Sequence, residues 1–143
     1  MFTMKKVIFG LLSLTLILGT ACKKSKDAPA FTKENVAGAY SLTKVTFKTT
    51  AGGGEQDITS QYVDDCEKDD ILTLKSDGTY DSKDAGQQCT GDYTGTWNIP
   101  SANKFDLDGE VYDLSSWDGS SLAVAQSFNM GGIDGTITMY MKK

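Results

Sequence analysis

Hydrophobic and polar residues alternate along most of the chain after residue 35, in stretches of four to nine residues. These stretches are rich in β-branched and aromatic side chains, and Gly, Asp and Ser separate them, which is typical of strands joined by turns. One short helical turn is expected before them, over residues 32–36. The eight predicted strands are residues 39–47, 71–75, 79–82, 93–99, 104–107, 111–114, 122–126 and 136–141.

The connections predict how these strands pair. Ser76-Asp77-Gly78 and Asp108-Gly109 are typical hairpin turns, Pro100 is expected to end the fourth strand, and residues 129–135 are expected to form a loop. Strands in chain order should therefore be neighbours. Because closing a sheet removes its exposed edges, we expect an all-β fold, a small eight-stranded antiparallel up-and-down β-barrel over residues 35–143. An open sandwich is the alternative.

Period-two alternation assigns an inner face to each strand. In the first strand, Tyr40 and Leu42 lie on the opposite face from Val45 and Phe47, unless a β-bulge shifts the register. Trp97 is expected in the core, whereas Trp117 stands in a turn and is a candidate for exposed recognition. The residues expected to line a pocket in the barrel are Tyr40, Leu42, Leu74, Tyr93, Trp97, Phe105, Leu122, Val124 and Met139.

The first 21 residues carry the pattern of a secretory signal peptide. Lys5 and Lys6 precede a largely apolar run over residues 7–18, which is shorter than the roughly 20 residues of a membrane-spanning helix. Translation starts at Met1 or at Met4. The run ends in Leu18-Gly19-Thr20-Ala21-Cys22, which resembles the lipidation signal of bacterial lipoproteins.

Cleavage before Cys22 would leave this cysteine as the lipid attachment site. The polar residues 22–34 would then be a flexible tether between the lipid and the barrel. The expected localisation is that of an outer membrane lipoprotein of a diderm bacterium, on the periplasmic side or at the cell surface. An ordinary signal peptide followed by a free cysteine is the alternative.

Composition excludes several classes of function. The chain contains no histidine and no arginine, so it cannot form a histidine triad, a histidine-ligated metal site or an arginine finger. Loss of residues 1–21 leaves 12 lysines against 19 acidic residues, a net charge of −7. This charge disfavours nucleic acid as a partner. We expect a protein that is not an enzyme and that needs no cofactor or metal.

Apart from the predicted lipidation site, the chain has two cysteines, Cys66 and Cys89. An even pair in an oxidising compartment predicts a disulfide, and closing a loop of about 24 residues stabilises a fold by on the order of 3 kcal/mol. Five acidic residues surround Cys66 between residues 64 and 70. Calcium could use such oxygens, but the spacing does not match an EF-hand, and a solvated acidic loop is the favoured interpretation.

Several motifs together resemble the lipocalin-like domain family of bacterial lipoproteins. They are Cys66 followed by acids and a strand, Ser76-Asp77-Gly78-Thr79-Tyr80, then Cys89, then Thr94-Gly95-Thr96-Trp97. The resemblance implies a small barrel, a bond between Cys66 and Cys89, and binding of a small apolar ligand, with no enzymatic activity attached. This chain has Gly38-Ala39-Tyr40 where the family often has Gly-x-Trp.

Two functions follow as hypotheses. The first is a membrane-anchored lipoprotein whose lipocalin-like barrel binds a small hydrophobic ligand. The alternative is an acidic protein-interaction or inhibitor module of the cell envelope, with a filled barrel, an envelope protein as partner and no ligand.

Overall fold

The computed structural model describes residues 27–143. The predicted signal peptide and Cys22 lie outside the described residues. Residues 27–143 contain no helix with the length and apolar character needed to cross a bilayer. The helices are α1 (Lys33–Val36), α2 (Thr59–Tyr62) and a 3₁₀ turn (Asp65–Glu67). The strands are β1 (Gly38–Thr49), β2 (Gln56–Asp57), β3 (Ile71–Leu74), β4 (Thr79–Lys83), β5 (Tyr93–Ser101), β6 (Lys104–Leu107), β7 (Glu110–Trp117), β8 (Ser121–Met130) and β9 (Ile133–Lys142).

Eight strands form one closed antiparallel sheet. β1 pairs with β3, each later strand pairs with the next, and β9 pairs back with β1, where Lys142 lies opposite Ser41. The predicted all-β, eight-stranded antiparallel barrel is therefore confirmed. β2 is an additional two-residue strand that extends the sheet beside Thr46 and Phe47 of β1.

A β-bulge in β1 resolves the conflict between its two halves. The pairing with β9 shifts between Leu42 and Lys44, so one extra residue reverses the alternation at this point. Leu42 lies opposite Met141, and Val45 lies opposite Met139. Both halves of β1 consequently turn their apolar side chains to the barrel interior.

The β8–β9 hairpin is longer than the sequence pattern indicated. The prediction of a loop over residues 129–135 is wrong, because β8 runs to Met130 and β9 starts at Ile133, with only Gly131 and Gly132 between them. Both glycines have positive φ angles, which suits a two-residue hairpin turn. The prediction that Pro100 ends its strand is also wrong. β5 continues to Ser101, and Pro100 lies at a register shift, where a missing N–H is tolerated.

One end of the barrel, here called the closed end, is filled with side chains. It is formed by α1 and by the β3–β4, β5–β6 and β7–β8 turns. Apolar inward positions of the strands meet here in a continuous core. The largest fully buried side chains of this core are Tyr40, Leu74, Tyr80, Trp97, Phe105 and Leu122.

The N-terminal segment packs against the closed end. The Trp117 indole N–H donates a hydrogen bond of 2.9 Å to the carbonyl of Pro29, and the Trp117 ring makes an edge contact with Phe31. The Lys143 ammonium donates to the carbonyl of Asn35 and lies over the rings of Trp117 and Tyr40. Trp117 therefore holds this segment rather than standing free for recognition, and the part of the predicted tether from Pro29 onward contacts the barrel.

Candidate ligand-binding cavity

Inward-facing positions change from apolar to polar along the strands, away from the closed end. Along β3 and the residue before it they are Leu74, Leu72 and Asp70, and along β4 they begin with Tyr80 and Ser82. Since alternate residues of a strand face the same side, β3 and β4 each lead from a core residue to a residue near the opposite end. We call that opposite end, formed by residues 50–70 and 84–92, the open end.

A cavity of about 280 Å³ lies between the core and the open end. Tyr62 and Tyr93 mark its mouth, since 51% and 53% of these residues are exposed. Its floor and walls are mainly aliphatic and aromatic. The lining residues are Tyr40, Leu42, Tyr62, Val63, Glu67, Asp70, Leu72, Ser82, Tyr93, Phe105, Leu107, Tyr112, Val124, Met139 and Met141.

Six of the nine residues proposed from the sequence line this cavity, and three do not. The six are Tyr40, Leu42, Tyr93, Phe105, Val124 and Met139. Leu74, Trp97 and Leu122 share the same inward face but lie in the closed-end core. The Trp97 ring packs against Phe105, and its N–H donates 2.8 Å to the carbonyl of Lys75. Alternation alone identifies the inward side of a strand but not the height along the barrel axis.

Sequence reasoning missed the lining residues that come from outside the predicted strands. Tyr62, Val63 and Glu67 belong to the segment 58–70, which contains α2 and the 3₁₀ turn and borders the open end. A strand pattern carries no information about such an irregular segment. Asp70 was within reach of the sequence, because it continues the alternation of Leu74 and Leu72.

The disulfide between Cys66 and Cys89 is confirmed, with the two Cα atoms 5.8 Å apart. It joins the segment 58–70 to the β4–β5 loop, residues 84–92. The bond therefore fixes the part of the mouth that carries Tyr62 and Glu67.

Acidic side chains hold the β4–β5 loop in place. The buried carboxylate of Asp84 accepts the backbone N–H groups of Cys89 and Gly91. Asp70 accepts from the N–H of Ala85, and Asp69 accepts from a neighbouring N–H of the same loop. Within residues 27–143, no group of three or more acidic or cysteine side chains is arranged to hold a metal. The acids around the disulfide thus have a structural use as hydrogen-bond acceptors.

The charged residues that line the cavity, Glu67 and Asp70, are both acidic. Burial, together with the charges of Asp84, Asp69 and Glu67, raises the pKa of Asp70, despite the opposing hydrogen bond from Ala85. Burial raises the pKa of Tyr112, whose hydroxyl donates 2.8 Å to the carboxylate of Glu110. None of the 15 lining residues is a lysine.

An apolar groove of about 400 Å³ continues outward from the mouth along the long β8–β9 hairpin. Its members include Phe47 and Phe128, whose ring centroids are 5.2 Å apart. Gly135 lies against both rings, and a Cβ there would come within 2.6 Å of Phe47. Tyr62 lines both the groove and the cavity, so the two are adjacent. The remaining lining residues are Thr49, Ile58, Ile133 and Ile137.

No family model matches this chain, and no curated protein is detectably similar to it. Its function is therefore argued from the cavity and its surroundings. The arrangement can enclose a small apolar body against Phe105, Val124 and Met139, and it presents carboxylates and phenol groups to whatever part of that body reaches the mouth.

Proposed function

We propose that this chain is a membrane-anchored lipoprotein whose lipocalin-like barrel binds a small hydrophobic ligand. The observation that carries the proposal is the cavity of about 280 Å³ between the core and the open end. Binding sites for small molecules are concave and mainly apolar, with a few polar groups that fix orientation. The aliphatic and aromatic walls with polar groups at the mouth match this description.

The volume limits the size of the ligand. A water molecule occupies roughly 30 Å³ of liquid, so the cavity has room for about nine non-hydrogen atoms. A long acyl chain would not fit inside, although part of a larger ligand could continue into the adjacent apolar groove. Octanol, with about nine non-hydrogen atoms, is therefore a suitable probe.

The membrane anchor is supported by the sequence of the first 22 residues, and the lipocalin-like assignment by the motifs around Cys66 and Cys89. Mass spectrometry of the N-terminal peptide from membrane-purified protein should show acyl chains on Cys22. A Cys22→Ser variant should leave the membrane fraction. An unmodified Cys22 in membrane-purified protein would contradict the anchor without affecting the cavity.

Ligand binding can be measured on residues 22–143 with Cys22→Ser, here called the barrel chain. This chain contains every strand pairing and core contact described above. Isothermal titration calorimetry should show saturable octanol binding with a negative heat-capacity change, the sign of apolar burial. Native mass spectrometry of protein from its own membrane should show a small molecule bound one to one. The absence of both octanol binding and a bound small molecule would contradict the proposed ligand-binding function.

A filled cavity provides the matched control. Ser82 is buried, lines the cavity and pairs with Tyr93 of β5. Ser82→Phe should lower octanol affinity at least tenfold, because the ring takes the space of the ligand. Thr94→Phe places the same ring on the exposed face of β5 and should leave octanol affinity unchanged.

The second candidate is an acidic interaction or inhibitor module of the envelope. The net charge of −7 after removal of residues 1–21 and the exposed Ile133 in the apolar groove favour it. Crosslinking in cells should then capture an envelope protein whose association weakens at high salt. This candidate does not require the cavity, so loss of octanol binding in Ser82→Phe would leave such a crosslink intact.

A further inference from the structure

We propose that the cavity selects a small apolar molecule that carries a cationic nitrogen, with the nitrogen held at the mouth between Glu67 and Asp70. This inference rests on the proposed function, because it names the chemical class of the ligand in the same cavity. Three features of the site support it: the sign of its charges, the free acceptor capacity of its carboxylates, and the tyrosine rings of Tyr62 and Tyr93 at the mouth with Tyr112 in the lining.

The charges at the cavity all have one sign. Glu67 and Asp70 are the charged residues among its lining, and the carboxylate of Glu110 accepts the hydroxyl of the lining residue Tyr112. With no arginine or histidine in the sequence and no lysine in the lining, an anionic head group would meet carboxylates without a compensating cation. A cationic head group would meet them as partners.

The two carboxylates are fixed in position and still have room to accept. One oxygen of Glu67 accepts the N–H of Asp64 at 3.2 Å, and one oxygen of Asp70 accepts the N–H of Ala85 at 3.3 Å. The ion pairs formed within residues 27–143 involve other acids. Each carboxylate therefore keeps a second oxygen available for a ligand ammonium.

The surroundings of Asp70 also favour binding of a cation. Its burial and the nearby Asp84, Asp69 and Glu67 raise its pKa, which means that its charged form is disfavoured in the empty protein. An ammonium at the mouth would relieve this repulsion. A neutral hydroxyl in the same place would not.

The tyrosine rings are a second feature of the site that attracts a cation. Tyr62, Tyr93 and Tyr112 all line the cavity, and Tyr62 and Tyr93 are half-exposed at its mouth. The faces of aromatic rings attract ammonium groups, most strongly where water is partly excluded. Aromatic rings combined with carboxylates thus favour an amine over an alcohol or a carboxylic acid.

Three eight-carbon ligands that differ in head group test the inference on the barrel chain. Calorimetric titration at pH 7 with octylammonium, octanol and octanoate should give about tenfold tighter binding of octylammonium than of octanol, and weaker binding of octanoate than of octanol. Octanoate binding as tightly as octanol, or octylammonium binding no better, would overturn the inference. Either result would leave the proposed function standing as long as octanol binds. If none of the three ligands binds, the proposed function and this inference both fail.

Paired variants separate a local effect from the overall negative charge. Glu67→Gln with Asp70→Asn keeps oxygen acceptors for the N–H groups of Asp64 and Ala85, and should abolish the preference for octylammonium over octanol. Asp27→Asn with Glu34→Gln removes two exposed charges near the closed end and should keep the preference. If both double variants lose the preference for octylammonium equally, the preference comes from the net charge and the inference is overturned. The inference is also overturned if the parent loses this preference when the salt concentration rises from about 0.15 M to about 0.5 M.

Discussion

The closed end and the open end of the barrel are built on the same strands from different kinds of residue. Near the closed end the inward positions of β3, β4 and β5 carry Leu74, Tyr80 and Trp97, each 2% exposed. Towards the open end the same face carries Asp70 and Tyr93. Burial of apolar surface stabilises a fold by about 25 cal/mol per Å². Most of the apolar burial that stabilises the fold therefore lies at the closed end, and the groups suited to binding lie at the open end.

Truncation of the core tryptophan is expected to cause the largest loss of stability and so gives the strongest test of this difference between the two ends. Trp97→Ala removes a fully buried ring that packs against Phe105 and is expected to lower the free energy of unfolding by about 3–5 kcal/mol. Tyr93→Ala, four residues away on the same face of β5 but half-exposed, should lower it by about 1 kcal/mol or less. Urea unfolding followed by circular dichroism measures both.

Binding should rank the two variants in the opposite order. Under conditions in which Trp97→Ala remains folded, its octanol affinity should be close to that of the parent. Tyr93→Ala should bind octanol more weakly, because it removes a ring at the cavity mouth. Similar losses of stability in both variants would mean that the two ends do not differ as described.

The disulfide is expected to have the next largest effect. Replacing Cys66 and Cys89 by serine should lower the free energy of unfolding by about 3 kcal/mol, because the unfolded chain regains the freedom of the closed loop. It should also weaken octanol binding, since the bond fixes the segment that carries Tyr62 and Val63.

Reduction of the parent protein is the control for the serine variant. The reduced protein and the double variant should lose the same stability if the bond itself, rather than the thiol groups, is responsible. Unchanged octanol affinity in both would show that the segment 58–70 holds its place without the bond.

The smallest effect concerns Asp70, and its sign depends on pH. The pKa of Asp70 is raised in the folded protein, so its ionisation costs stability, and this cost is complete above the folded pKa and absent below the unfolded value of about 3.9. Asp70→Asn should therefore raise the free energy of unfolding at pH 7 and leave it unchanged at pH 3.

Asp69→Asn tests whether any lost negative charge would act alike. Asp69 is exposed and also accepts one N–H from the β4–β5 loop, so the variant changes charge and hydrogen bonding in the same way. An equal gain in stability at pH 7 from Asp69→Asn would show that burial of Asp70 is not the cause.

Much of the fold followed from local signals in the sequence. Ser76-Asp77-Gly78 forms the β3–β4 turn, where the Asp77 carboxylate accepts the N–H and hydroxyl of Thr79 and Gly78 takes a φ of +90°. The bulge in β1 followed from the opposed faces of its two halves. These features depend on neighbouring residues, which is why alternation and turn chemistry predicted them.

The cavity depends on contacts between distant parts of the chain, and the sequence predicted less of it. Leu74 and Leu72 share one face of one strand, yet only Leu72 lines the cavity, because Leu74 is buried in the closed-end core with Val36 of α1. Tyr62 and Glu67 reach the mouth from an irregular segment. The predicted loop over residues 129–135 is too long, because two adjacent glycines do not by themselves distinguish a two-residue turn from part of a longer loop.

The hydrogen bond between Trp117 and Pro29 has a consequence for how the barrel would stand on a bilayer. The seven residue-to-residue steps from Cys22 to Pro29 can span at most about 25 Å, so an acyl group on Cys22 would keep the closed end near the lipid head groups. The entrance at Tyr62 and Tyr93 would then point away from the surface. Such a protein would exchange its cargo with the surrounding aqueous space, not with the leaflet that holds it.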